Sequence, residues 1–255
     1  MLLPRLIPVL LIDNGNLVKT INFKNGRYLG DPLNAIRVFS EKEVDEIIIL
    51  DISSDTSPIN YSMLAKFASA ARMPITYGGG IKDILTAQKI INLGFEKIAI
   101  RSLAIEDPGA IKTLSEFFGS SCITAVIDYS FNRTNDSYLI QSSNGSVSID
   151  PILFAQQMID LGAGEIIFQS VEDDGSMLGY DIKFLMKLSE SRITNQVPTV
   201  ILGGASTYLD ISQVNKINAR ISFAAGSLFV YYGRLKALQL SYPSQQAKIS
   251  LFTHR

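Results

Sequence analysis

Short apolar runs rich in Ile and Val alternate along this chain with longer stretches of helical period. The runs predict strands near Leu6–Ile12, Glu46–Asp51, Ile75–Gly78, Lys97–Arg101, Cys122–Asp128, Glu165–Gln169, Thr199–Leu202 and Ile221–Ala225. Between them the spacing predicts helices over Pro32–Lys42, Lys82–Leu93, Asp150–Leu161, Asp181–Leu188 and Tyr208–Lys216; in the second of these, Ile84, Ala87, Ile90 and Ile91 share one face. Asp31-Pro32 and Asp107-Pro108 look like helix starts, with an acidic cap and a proline in the first turn. The strands are continuously apolar rather than alternating, as parallel strands buried on both faces are. No Pro/Gly/Ser-rich linker divides the 255 residues. The economical fold is α/β: a single (β/α)8 barrel over residues 1–255 with its core at about 5–235; the alternative is an open, doubly wound sheet.

Composition narrows the chemistry. Apolar residues make up 47% and charged ones 18%, enough to bury a large core. The net charge of −1 gives no bulk attraction to nucleic acid or an anionic membrane, so neither is expected as a partner. A single cysteine, Cys122, excludes an internal disulfide, and a single histidine, His254, excludes a Ser-His-Asp triad, a Cys-His dyad and a two-histidine zinc site within the chain. No metal or organic cofactor is expected. Acid–base work falls to Asp, Glu, Lys, Tyr or a substrate group. The first residues lack the pattern of a signal peptide and no run of 18 apolar residues occurs, so the expectation is a soluble, cytoplasmic protein.

A weak internal repeat runs through the sequence. Glu46-Ile47-Ile48-Ile49 matches Glu165-Ile166-Ile167-Phe168 at an offset of 119, Tyr77-Gly78-Gly79-Gly80 matches Leu202-Gly203-Gly204-Ala205, and Ser102-Leu103 matches Ser227-Leu228 at an offset of 125. Three matches in order argue for a duplicated half-barrel. The two glycine clusters end predicted strands, where barrel active sites form, and backbone amides at such turns suit phosphate. Arg101-Ser102 and Ala225-Gly226-Ser227 would complete two phosphate cups. The plainer alternative is that these glycines only permit tight turns. Strand-end carboxylates (Asp13, Asp51, Asp128, and Glu172, Asp173 and Asp174 in one loop) are candidate acid–base groups, or helix caps and ion-pair partners; Asp128 stands out because it ends an otherwise apolar strand. Lys19 could reach a phosphate, or be a solvated surface lysine.

These residues together resemble one family. Ile7-Pro8, Lys19 with Asn22-Phe23, Leu50-Asp51-Ile52, Gly78-Gly79-Gly80-Ile81, Ala125-Val126-Ile127-Asp128, Gly162-Ala163-Gly164-Glu165, Asp174-Gly175, Gly179-Tyr180-Asp181 and Gly203-Gly204-Ala205 are similar to the cyclase subunit of imidazole glycerol phosphate synthase (HisF), from about residue 5 to 235. The resemblance implies a (β/α)8 barrel that pairs at its N-terminal face with a HisH-like glutaminase. Ammonia released there crosses the barrel to a bis-phosphate substrate at the C-terminal face. It implies an ammonia gate of Arg5, Glu46, Lys97 and Glu165, a strand-five aspartate at Asp128, and phosphate sites at Gly80 with Ser102 and at Gly203, Gly204 and Ser227 with the Asp174-Gly175 loop.

The departures from that pattern are specific. The family's strand-one aspartate falls on Leu11, which cannot move a proton; loss of a positioned acid or base costs about 10²–10⁴ in rate. Asp13 lies roughly 6.6 Å further along the strand, too far to replace it on the same substrate. Arg101 stands where the family has a small polar residue, and Gln169 and Glu172 also differ. A rebuilt mouth over a retained floor resembles the HisF-like proteins of surface-polysaccharide biosynthesis. Those are thought to supply ammonia to a separate sugar amidotransferase that turns an N-acetyl group on a nucleotide-linked sugar into an acetamidino group. The alternatives are a true cyclase using Asp128, a non-catalytic partner that activates a glutaminase, and the related sugar isomerase of histidine synthesis, against which Leu11 also counts.

Overall fold

The computed structural model describes residues 3–54, 57–233 and 237–253. His254 lies outside them. Eight parallel strands form the central sheet: β1 (Leu6–Asp13), β2 (Ile47–Asp51), β3 (Ile75–Gly78), β4 (Lys97–Ile100), β5 (Ile123–Asn132), β6 (Glu165–Ser170), β7 (Thr199–Leu202) and β8 (Ile221–Ala225). Each pairs with the next, and β8 pairs with β1 through Leu6–Phe223 and Ile7–Ala224. The sheet is closed, with helices between successive strands, so it is a (β/α)8 barrel and not an open doubly wound sheet.

The strands alternate between two environments. Leu6, Leu10 and Ile12 of β1, with Ile47, Ile49, Phe168 and Phe223, face outward into the layer shared with the helices. Ile7, Val9 and Leu11, with Ile48, Ala99, Val126, Ile167, Val200, Leu202 and Ala224, form a separate apolar cluster inside the barrel. This is why both faces read as hydrophobic. Among the helices, Pro32–Glu41 begins with the Asp31 carboxylate accepting the Leu33 N–H at 3.0 Å. The helix after Pro108 starts differently: Pro108 itself is the cap, and Asp107 contributes only its main-chain carbonyl, to the Ala110 N–H.

Three features were not visible in the hydrophobic pattern. A hairpin, Asn16–Ile21 and Lys24–Gly30, continues from β1, and a second, Ser137–Ser142 and Gly145–Val147, continues from the long end of β5. Both rise at the C-terminal ends of the strands, one per half of the barrel. The glycine clusters also align one residue away from their sequence match. Positive φ occurs at Gly79 (+137°) and Gly80 (+63°) and at Gly203 (+106°) and Gly204 (+92°), but not at Gly78. Gly78 thus corresponds to Leu202, and the equivalent pairs are Gly79 with Gly203 and Gly80 with Gly204. The short helices Ser102–Glu106 and Ser227–Val230 follow them at the matched serines.

Candidate functional site

At the N-terminal end of the barrel, inward-facing positions at the starts of four strands bring together four charges. Arg5 Nη1 lies 2.5 Å from Glu46 Oε2, and Arg5 Nη2 lies 2.5 Å from Glu165 Oε2. Lys97 Nζ lies 3.0 Å from Glu46 and 3.2 Å from Glu165. The four form a closed ring of alternating sign. Both carboxylates are buried, while the cations reach partial exposure. Thr76 donates to Glu46 at 2.8 Å and Thr124 to Glu165 at 3.3 Å, so the remaining lone pairs are met from the same layer. Burial disfavours the Arg5 charge, but Glu165 and Glu46 outweigh it and hold the guanidinium above its ordinary value. Above the ring lies the apolar cluster around Val9, Ile48, Val126 and Ile167.

A second cluster supports this floor. The Asp45 carboxylate accepts the Leu6 N–H at 2.8 Å and pairs with the buried Lys248 ammonium; the Tyr242 hydroxyl donates to the Leu6 carbonyl at 2.9 Å and accepts the Asp45 N–H at 3.2 Å. The C-terminal segment thus ties together the two strand starts that carry Arg5 and Glu46. Spacing gave no sign of this, because the partners are about 200 residues apart.

The C-terminal mouth has two halves. In the second half, Lys19, Asp174, Gly175, Gly203, Gly204, Ala225 and Ser227 all line one cleft, together with Met177 and Gly226. Lys19 is not a solvated surface lysine. It is buried, its ammonium 3.0 Å from Asp174 Oδ1, and Asp174 Oδ2 accepts from Thr20 at 3.0 Å. The hairpin after β1 is pinned here by its own main chain, the Asn22 N–H donating to the Asp174 carbonyl. Gly175 is required by that contact, because a Cβ would sit 2.4 Å from the Thr20 carbonyl oxygen. Ser227 is buried in the same cleft with its hydroxyl unpartnered.

The first half is built otherwise. Gly79 and Gly80 are packed beneath the loop after β2: a Cβ on Gly79 would lie 2.5 Å from the Asp51 carbonyl oxygen, and one on Gly80 would lie 3.0 Å from the Ser54 Cβ. These glycines serve a tight turn, whatever else they do. Asp51 holds its own loop, accepting from the Ser53 N–H and hydroxyl at 3.0 and 2.6 Å. Asp13 is half-exposed, accepts from the Asn14 side chain and pairs along the hairpin with Asn16. Leu11 is buried in the interior apolar cluster.

Arg101 and Asp128 meet in the mouth. Arg101 Nη1 lies 3.2 Å from Asp128 Oδ2, and Nη2 contacts the hydroxyls of Ser102 at 3.4 Å and of Ser143, in the second hairpin, at 3.3 Å. Asp128 is buried and its Oδ1 has no hydrogen-bond partner. Burial pushes this carboxyl up from 3.8 to about 6; Arg101 opposes the rise and the nearby charge of Asp174 adds to it. Gln169 lies beside it in register on β6. Such a carboxyl can exchange a proton near neutral pH. Among the described residues no group of three or more His, Cys, Asp or Glu side chains is placed to hold a metal ion, and no helix is long and apolar enough to cross a membrane.

Fold and site define a (β/α)8 barrel with a charged floor, an apolar interior and a mouth where Lys19 and Arg101 pair with buried carboxylates. A family model described as histidine biosynthesis protein matches residues 5–236, and the chain belongs to that family. It is 42% identical over 99% of its length, and the full length of the relative, to a Leptospira borgpetersenii protein provisionally named imidazole glycerol phosphate synthase subunit HisF. It is 38% identical over 94% of its length, and 95% of the relative, to a Pseudomonas aeruginosa protein provisionally named hisF2. A Clostridium botulinum imidazole glycerol phosphate synthase subunit HisF is 33% identical over 90% of this chain and 91% of its own.

Proposed function

We propose that this barrel, acting as one unit, receives ammonia from a HisH-like glutaminase docked on its N-terminal face and delivers it to amidotransfer on a nucleotide-linked sugar. A separate sugar amidotransferase would complete the N-acetyl to acetamidino conversion in cytoplasmic assembly of a surface polysaccharide. The observation that carries the reading is the closed ring of Arg5, Glu46, Lys97 and Glu165 beneath an apolar interior that ends at Leu11. Uncharged ammonia crosses an apolar sleeve at little cost, whereas ammonium would have to shed its hydration. At the upper end Leu11 offers no acid or base, and the remaining inward carboxylate, Asp128, is engaged by Arg101. The resemblance puts the cyclase's second aspartate at position 11, where this chain has leucine, so the pair that chemistry uses is incomplete. Lys19, Gly80, Arg101, Ser102, Asp174, Gly175, Gly203, Gly204, Ala225 and Ser227 would bind the phosphorylated part of the substrate.

A second reading, a histidine-pathway cyclase, is favoured by Asp128 itself, whose burial suits proton transfer, and by the Clostridium botulinum relative's name. One assay separates the two. The purified protein is given ammonium salt and the bis-phosphate substrate of imidazole glycerol phosphate synthase. No turnover is expected; turnover at a rate ordinary for that enzyme would refute the amidotransfer reading. A third role, activation of the glutaminase alone, predicts that a nucleotide sugar raises glutamine hydrolysis in the reconstituted complex with no nitrogen reaching the sugar.

A further inference from the structure

Two cations of the mouth are already neutralised from within: Lys19 by Asp174, and Arg101 by Asp128. The two pairs differ in what would follow if an anion took the cation. Lys19 is buried and Asp174 keeps Thr20 as a second donor. Arg101 is about one third exposed, and its other contacts are the hydroxyls of Ser102 and Ser143, which any anion can replace. Asp128 has no such reserve. Its Oδ2 depends on Arg101, its Oδ1 has no partner, and almost none of it reaches water.

We propose that Arg101 leaves Asp128 for an incoming phosphate or pyrophosphate group, and that Asp128 takes up one proton from solvent as the anion binds. This rests on the reading of the mouth as a phosphorylated-substrate site. Three neighbours of Asp128, from three elements, point the same way once Arg101 has gone. From the loop after β6 comes Asp174, a like charge whose partner Lys19 is committed to it. On β6 the adjacent residue in register is Gln169, which is uncharged. β1 contributes the apolar Leu11 to the interior. An isolated carboxylate in such a place costs more than its acid form. The arrangement makes the mouth select an anion together with a proton, and a guanidinium is suited to fork onto phosphate. It also leaves Asp128 as an uncharged carboxylic acid beside the bound ligand.

The test uses the whole protein and two probes, inorganic pyrophosphate and inorganic sulfate; sulfate does not change its charge between pH 5 and 9. Calorimetric titrations are run at pH 7.5 in two buffers of different ionisation enthalpy. The wild-type protein should take up close to one proton per sulfate, and sulfate affinity should fall about tenfold per pH unit above the pH where Asp128 ionises. In Asp128→Asn the uptake should vanish and affinity at pH 8 should rise, because Arg101 is free. Arg101→Met should lose at least tenfold in affinity for both probes. Binding without proton uptake, or an Asp128→Asn protein that binds like wild type, overturns the proposal. Failure of both probes to bind any of the three proteins overturns it too, and leaves ammonia conduction to be judged by its own assay.

Discussion

The buried carboxyl of Asp128 makes the stability of the barrel depend on pH in an unusual direction. Most native carboxylates are better off ionised when folded, so stability rises with pH through the acid range. Asp83, Asp150 and Asp210 behave that way here, held below their ordinary values; their contribution is present above the unfolded value and lost only as pH falls through the folded one. Asp128 is the reverse. Its folded value of about 6 exceeds the unfolded 3.8, so its neutral form stabilises the fold at low pH, and that contribution drains away as pH rises from about 4 through about 6. At about 1.4 kcal/mol per pH unit, the loss between pH 4 and pH 8 comes to about 2–3 kcal/mol. Asn at position 128 keeps the shape and cannot ionise. Urea unfolding of wild type and Asp128→Asn at pH 4, 6 and 8 isolates the effect, because every other titrating group cancels in the difference. The variant should gain about 2–3 kcal/mol on wild type between the two extremes. A difference that stays constant within about 0.5 kcal/mol would show that Asp128 is effectively solvated, and the burial argument would fall. Arg101→Met, which removes the opposing charge, should push the window to higher pH and enlarge the loss at pH 8.

Other outcomes follow from the same geometry. Lys97→Ala should lower stability by about 3–5 kcal/mol by leaving two buried carboxylates to share Arg5. In a complex with a glutaminase it should also uncouple glutamine hydrolysis from amidation, read as glutamate formed per sugar amidated; an unchanged ratio would argue against a gate. Lys19→Met strands Asp174 in the mouth and should cost a similar amount by denaturation. Gly204→Ala places a Cβ 1.9 Å from the Gly179 carbonyl oxygen at positive φ and should lower the melting temperature by several degrees, more than Gly145→Ala, where nothing lies within 4 Å. Leu11→Asp, assayed with ammonium and the bis-phosphate, should restore no turnover, because Arg101 fills room that the family leaves to a small polar residue; turnover in this single variant would show that the mouth still fits that substrate.

Much of the fold was legible because burial on both sides of each strand writes itself into sequence as unbroken Ile and Val. Strands β3, β7 and β8 coincide with their apolar runs to the residue. The hairpins were not, because Lys24–Gly30 and Ser137–Val147 are polar, half-exposed strands whose pairing depends on turns rather than on core patterning. In the second half of the mouth the glycines and Asp174 singled out in the sequence line one cleft; in the first, Gly79 and Gly80 meet the packing demands of the loop after β2, the tight-turn role that the sequence offered as the plainer alternative. No local pattern could show that Lys19 is buried, that Arg101 reaches Asp128, or that Lys248 meets Asp45. Those depend on closing the barrel, which joins residues up to about 200 positions apart.

The collar at the lower end carries a record of how the two halves diverged. Glu46 and Glu165 are mates across the repeat at an offset of 119, but Lys97 maps at 125 onto Ser222, a hydroxyl that accepts from the Arg5 main chain. A symmetric pairing of two first halves would crowd two arginines and two lysines around two glutamates, leaving an excess of two positive charges; two second halves would set glutamate against glutamate with serine in place of lysine. Electroneutrality at this rim therefore belongs only to the fused and differentiated chain, and neither ancestral half could have inherited it unaltered.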